Sequence, residues 1–198
     1  MLSVICFELI PESMNISDFS VSLIGIIVGV FGMMFIDDRV KRMNKKGSVN
    51  NNGILNAGII IGIGLAIHNF PEGLAIGCGL EASAKLGFSV ALAILIHDVP
   101  EGISMAVPLK VGGMDSSKTV VYTALSGVST GIGALVGSVV GGISEEIISF
   151  SLAFAGGAML YIVSGELIPE SKKLYGGRFS VVGNVVGFLM GLLLVRWM

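Results

Sequence analysis

Six apolar runs, at about 20–36, 54–80, 86–109, 119–141, 147–168 and 181–197, leave this chain few ways to fold. Each approaches the roughly 20 residues that a helix needs to cross a bilayer. Only 13% of the residues are charged, against about 25% in a soluble domain, so the runs have no polar exterior to offer water. The reading is an all-α, polytopic membrane helical bundle with six complete transmembrane helices. A shorter apolar stretch, Met1–Phe7, cannot cross by itself and is read as a partial N-terminal helix. It lacks the basic start and small-residue cleavage site of a signal peptide. The net charge of −2 carries no message about nucleic acid.

Two patterns bear on how the helices pack. Small residues recur at four-residue spacing, as Gly133, Gly137 and Gly141 and again as Gly183, Gly187 and Gly191, which lets helix backbones approach closely in lipid. Proline and glycine inside the runs 54–80 and 86–109 predict kinks. Cys6 and Cys78 are too few for a disulfide framework and are read as packing residues. A hexapeptide, Glu8-Leu9-Ile10-Pro11-Glu12-Ser13, returns as Glu166-Leu167-Ile168-Pro169-Glu170-Ser171 and suggests inverted repeats within one membrane transport domain, 1–198.

Orientation follows from the cations. Arg39, Lys41, Arg42, Lys45 and Lys46, then Lys110 and Lys118, then Lys172, Lys173 and Arg178 fall in alternate loops, at 37–53, 110–118 and 172–178. The other connections and the C-terminus hold only Lys85 and Arg196. The positive-inside rule then makes the basic loops cytoplasmic and leaves the C-terminus outside the cell membrane.

Against this apolar background the ionisable groups stand out. His68-Asn69-Phe70-Pro71-Glu72-Gly73 lies in one run, and His97-Asp98-Val99-Pro100-Glu101-Gly102 lies in the next. A charged group at the centre of a membrane helix costs about 2.5–3.5 kcal/mol, so Glu72, Asp98 and Glu101 together imply a penalty on the order of 8–10 kcal/mol. A bound cation would cancel it. Residues four apart share a helix face, so His68 with Glu72, and His97 with Glu101, each offer an imidazole and a carboxylate toward one point. Pro71 and Pro100 also free the carbonyls of Ile67 and Ile96. Two His and two Glu suit Zn²⁺ first, with Fe²⁺, Mn²⁺, Co²⁺ or Cd²⁺ less easily excluded. Asn69 and Asp98, one residue further round, are placed to complete a second site sharing Glu72 and Glu101. Acid should weaken binding, because a metal needs the neutral imidazole.

The two His-x-x-Pro-Glu-Gly hexapeptides, the basic loop before the first, Ser126-Gly127 and Glu166-Leu167-Ile168-Pro169-Glu170 resemble the ZIP family of divalent metal transporters, in its bacterial zinc-permease and GufA-like branch. The resemblance implies eight transmembrane helices with both termini outside. The six runs would be helices three to eight, with residues 1–13 the tail of helix two and the first helix absent from the sequence. It implies metal ligands at His68, Asn69, Glu72, His97, Asp98 and Glu101, a divalent metal as substrate with no cofactor, a lipid bilayer as surroundings and a homodimer as an available assembly. Asp98 stands where many relatives have Asn, and Thr130 where many have a bridging Glu. With Glu72, Asp98 and Glu101 supplying three negative charges, a second divalent ion would leave an excess of positive charge in a low-dielectric site. One well-occupied ion is therefore expected.

Two other readings compete with transport. An intramembrane metal-dependent hydrolase would need a general base outside the ligand set, and the sequence offers no obvious one and no His-Glu-x-x-His. A non-transporting relative is the other, favoured by Thr130 and by the missing helices.

Overall fold

The computed structural model describes residues 1–47 and 53–197. Among them there is no strand. The chain starts as α1 (Leu2–Val4), a π-helical turn (Ile5–Leu9) and α2 (Ile10–Ile16). Four long helices follow, α3 (Phe19–Gly47), α4 (Gly53–Ala82), α5 (Ala84–Val111) and α6 (Ser116–Gly141). Then come α7 (Glu145–Ile162), a second π-helical turn (Val163–Leu167), α8 (Ile168–Leu174) and α9 (Arg178–Trp197). Six segments are long and apolar enough to cross a membrane, the fifth running from α7 through α8. The all-α polytopic bundle expected from the apolar runs is what the chain forms.

The connections are short because local chemistry ends and starts each helix. Ser83 accepts a hydrogen bond from the Leu86 N–H at 3.1 Å and Asp115 from the Ser117 N–H at 3.0 Å, each satisfying a first-turn donor. Past the end of α5, Gly113 takes a positive φ of 93°. The Met114 N–H there returns to the Leu109 carbonyl and the Gly113 N–H to the Lys110 carbonyl, a closing turn that favours glycine.

One boundary departs from expectation. The basic stretch read as a loop from residue 37 is helical as far as Gly47, and the rest of that loop, 48–52, lies outside the described residues. Its sequence explains this: acids at Asp37 and Asp38 precede bases at Lys41 and Arg42 by four residues, and Lys45 and Lys46 favour the helix C-terminus. Further back on α3 the Tyr161 hydroxyl donates to Asp37 Oδ2 at 2.9 Å, tying α7 to α3 at a carboxylate only 6% exposed.

Glycines join two helix pairs at backbone contact. A Cβ added at Gly73, Gly77 or Gly133 would fall on a carbonyl oxygen of the facing helix, and at Gly137 it would lie 2.6 Å from the Leu74 carbonyl oxygen, so α4 and α6 touch main chain to main chain. Gly25, Gly29 and Gly157 do the same for α3 and α7. The second glycine triplet behaves otherwise. Only Gly191 meets the rest of the chain, against Ser3, while a Cβ at Gly183 or Gly187 would meet nothing within 4 Å. The spacing is right, but those two face outward on α9.

The tightest apolar packing gathers Ile5, Leu9, Cys78, Val90, Leu152 and Ala155, all fully buried, where the N-terminal segment meets α7, the C-terminal half of α4 and the N-terminal half of α5. The outward surface is itself apolar, with Phe31, Leu135, Val139, Phe179 and Met190 exposed. A bilayer covers such a surface at no cost.

Candidate metal centre

α4 and α5 are consecutive and antiparallel, so their two hexapeptides cross near mid-length. Glu72, His97 and Glu101 each bring a ligand atom to one place, all within 4.8 Å of one another. Glu72 is only 1% exposed. The His97 ring is oriented from its own helix: Nδ1 lies 2.9 Å from the Ala93 carbonyl, which can only accept, so Nδ1 carries the proton. Nε2 then points at Glu72 Oε1, 3.0 Å away, and lies 3.7 Å from Asp98 Oδ1.

That geometry calls for positive charge. A bare Nε2 lone pair facing a carboxylate repels it, and the contact becomes favourable only with a proton or a metal ion between them. Zn–N and Zn–O bonds of about 2.0–2.2 Å at a tetrahedral angle would separate the two donors by roughly 3.3 Å, close to what is seen. The carboxylates have capacity to spare. Glu72 Oε2 and Glu101 Oε2 are buried without a hydrogen-bond partner, as is Asp98 Oδ1, which lies 3.7 Å from His97 Nε2. Unpaired carboxylate oxygens at this depth are expensive unless a cation takes them up.

The other candidate ligands lie around this core. His68 shares a face with Glu72 but its Nε2 lies 3.4 Å from Glu166 Oε2, at the end of α7's π-helical turn, rather than within the three-residue cluster. Asn69 donates from Nδ2 to the Ser126 carbonyl of α6 at 3.3 Å, which leaves its Oδ1 buried and unpartnered. Thr130, where the resemblance implies a carboxylate, stands one helical turn further along α6, its carbonyl against Gly73 and its hydroxyl also unpartnered. For Glu166, near the inner end of its helix, sequence leaves two readings even, a guide for departing ions and a solvated helix-end carboxylate; the fold brings it to His68.

A cavity of about 510 Å³ opens beside the cluster, lined among others by Leu65, His68, Glu101, Ser104 and Glu166. It lies toward the N-terminal half of α4 and the C-terminal half of α5. On the other side of the cluster, among the described residues, Ile5, Leu9 and Val90 are packed in the apolar core.

The matching sequence model is that of the ZIP Zinc transporter family, over residues 38–195. This chain belongs to the ZIP family. It is 39% identical over 140 residues to zinc transporter GufA of Myxococcus xanthus, covering 70% of this chain and 55% of that protein. It is 36% identical over 135 residues to human zinc transporter ZIP11, covering 65% and 40%. To zinc transporter ZupT of Clostridium perfringens it is 33% identical over 157 residues, covering 77% and 55%. The chain thus spans about half the length of the curated relatives it matches.

Within this ZIP chain Asp98 stands beside the three-residue cluster, its Oδ1 3.7 Å from His97 Nε2. Asp98→Asn should keep zinc bound, weaken it by about tenfold at most, and alter the preference among Zn²⁺, Mn²⁺ and Cd²⁺. Competition binding across those ions checks this, and an equal loss for each would refute a selectivity role.

Proposed function

We propose that the chain carries a divalent transition metal, zinc foremost, across the cell membrane into the cytoplasm, as a transporter rather than an enzyme. The observation that carries this reading is the convergence of Glu72, His97 and Glu101 deep in an apolar bundle with carboxylate oxygens left unpaired. The family relation supports it, since the relatives are called zinc transporters.

The ion is the substrate. Glu72, His97 and Glu101 hold it, with Asp98 beside them. His68 and Glu166 line the cavity next to Glu101 and offer the following ligands, so the ion steps to them as it leaves. The cavity faces the ends of α4 and α5 that adjoin the basic segments, which the positive-inside rule places in the cytoplasm. That makes this arrangement inward-facing, with the C-terminus outside. Loading from the other side requires the Ile5, Leu9 and Val90 packing to part. The glycine contacts indicate what moves as a unit: α4 and α6 are held backbone to backbone, as are α3 and α7, so sliding is easier between the pairs than within them.

Reconstitution in liposomes with an internal zinc indicator tests the proposal. Uptake by the His68→Ala plus His97→Ala variant should fall to the protein-free background. Variant uptake equal to that of a transporting wild-type chain would overturn the site, and wild-type uptake at the protein-free background would overturn the function.

A further inference from the structure

The Glu-Leu-Ile-Pro-Glu-Ser hexapeptide occurs twice and folds the same way twice. Each copy begins in a single π-helical turn, closed by the Ile10 N–H on the Ile5 carbonyl and by the Ile168 N–H on the Val163 carbonyl. Glu8 and Glu166 each occupy the fourth position of that turn. Ser13 donates back to the Ile10 carbonyl at 2.8 Å and Ser171 to the Ile168 carbonyl at 3.0 Å. A π-helical turn swings a side chain off the face it would otherwise occupy, and such turns gather at functional sites.

The two glutamates go to opposite sides of the metal centre. Glu166 reaches α4 and stands beside His68 in the cavity. Glu8 reaches α5, where its Oε1 accepts a hydrogen bond from the Ser89 hydroxyl while its Oε2 is buried without a partner. Ser89 is wholly buried. It precedes His97 by two helical turns, about 12 Å along the axis, away from the cavity side where Glu101 and Ser104 lie. Ile5 and Leu9, which flank Glu8 on its own segment, and Leu86 and Val90, which flank Ser89 on α5, belong to one buried apolar cluster. A mere fastening between two helices would need only dipoles. Glu8 is half-buried, and a carboxylate with one buried oxygen left unsatisfied is a costly fastening but a ready ligand for a cation.

We propose that Glu8 is a cation-binding way station on the closed side of the centre, which takes the incoming divalent ion when the Ile5, Leu9 and Val90 packing parts and passes it to Glu72 and His97. Ser89 holds the carboxylate in place between passages. The inference rests on the import reading above and adds a residue outside both His-x-x-Pro-Glu-Gly hexapeptides. One chemistry serves both sides, a carboxylate presented by a duplicated π-helical turn.

Zinc uptake into liposomes by Glu8→Gln and by Ser89→Ala, beside the wild-type chain, tests it. Glutamine keeps an acceptor for Ser89 but carries no charge, so a way station predicts a KM for zinc raised about tenfold in Glu8→Gln, with Ser89→Ala and the charge-keeping Glu8→Asp within about threefold of wild type. Zinc-induced thermal stabilisation should persist in all three, since the central ligands are intact. If Glu8→Gln lacks that stabilisation, Glu8→Asp against Glu8→Asn makes the same comparison. A Glu8→Gln variant with wild-type KM, or a Ser89→Ala loss equal to that of Glu8→Gln, would show a fastening only and overturn the inference. Wild-type uptake at the protein-free background would instead overturn the import reading on which it stands.

Discussion

Replacing Glu72 by Gln should weaken zinc binding by at least about 100-fold and remove transport. Glu72 faces the His97 Nε2 at 3.0 Å and joins Glu101 in the cluster, so in the proposed site it supplies both a ligand and the charge that makes a dication welcome. Disturbing the surroundings of a metal ligand alone costs about 10–100-fold, and removal of a charged ligand costs more. Thermal unfolding gives a direct readout. Zinc at about 100 times its dissociation constant stabilises a binding protein by about 2.7 kcal/mol, and a 100-fold weaker variant at the same concentration gains only about 0.4 kcal/mol. For a chain of this size each kcal/mol moves the midpoint by about 2–4 °C. A zinc shift of several degrees in the wild-type chain should therefore nearly vanish in Glu72→Gln. An undiminished shift would place the metal elsewhere.

Gly73→Val should prevent stable assembly of the bundle, whereas Gly187→Val should be nearly silent. The first carbon of the new side chain at 73 would fall on the Thr130 carbonyl oxygen, and neither backbone can give way without separating α4 from α6. Overpacking of this kind costs about 3 kcal/mol or more, a large part of a marginal stability. At 187 the same carbon meets nothing within 4 Å. Both residues sit in apolar helices at small-residue spacing, so propensity and hydrophobicity do not separate them. Size-exclusion profiles and unfolding midpoints in detergent check the contrast, and matched behaviour of the two variants would contradict the α4–α6 backbone contact. The separation bears on function as well, because Gly73 adjoins Glu72 and the α4–α6 contact keeps that carboxylate facing α5.

Much of this was legible in the linear chain for an energetic reason. Polar and charged groups are so costly in lipid that their positions report purpose, and His68, Asn69, Glu72, His97, Asp98 and Glu101 were visible as a group before any fold was known. The apolar runs were equally plain, because a helix in hydrocarbon has to satisfy a length requirement. The hexapeptide repeat was visible too, and suggested inverted repeats, but nothing local shows that Glu8 and Glu166 each lie on a π-helical turn and reach a different neighbour.

What lay beyond reach were the matters of rotation and contact. His68 and Glu72 share a helix face, and spacing alone sends them to one ion, but α7 brings Glu166 to His68 while α5 brings His97 to Glu72. The two glycine triplets are alike as strings and unlike in place: Gly133 and Gly137 pack against the backbone of α4, whereas Gly183 and Gly187 face outward. Composition and spacing sufficed for the class of fold, the pair of helices and the chemistry of the ligands, because each follows from the free energy of a residue in lipid. Which donors meet, which side of the centre is open and where Glu8 rests depend on how distant helices pack, and a term that arises between segments cannot be read within one.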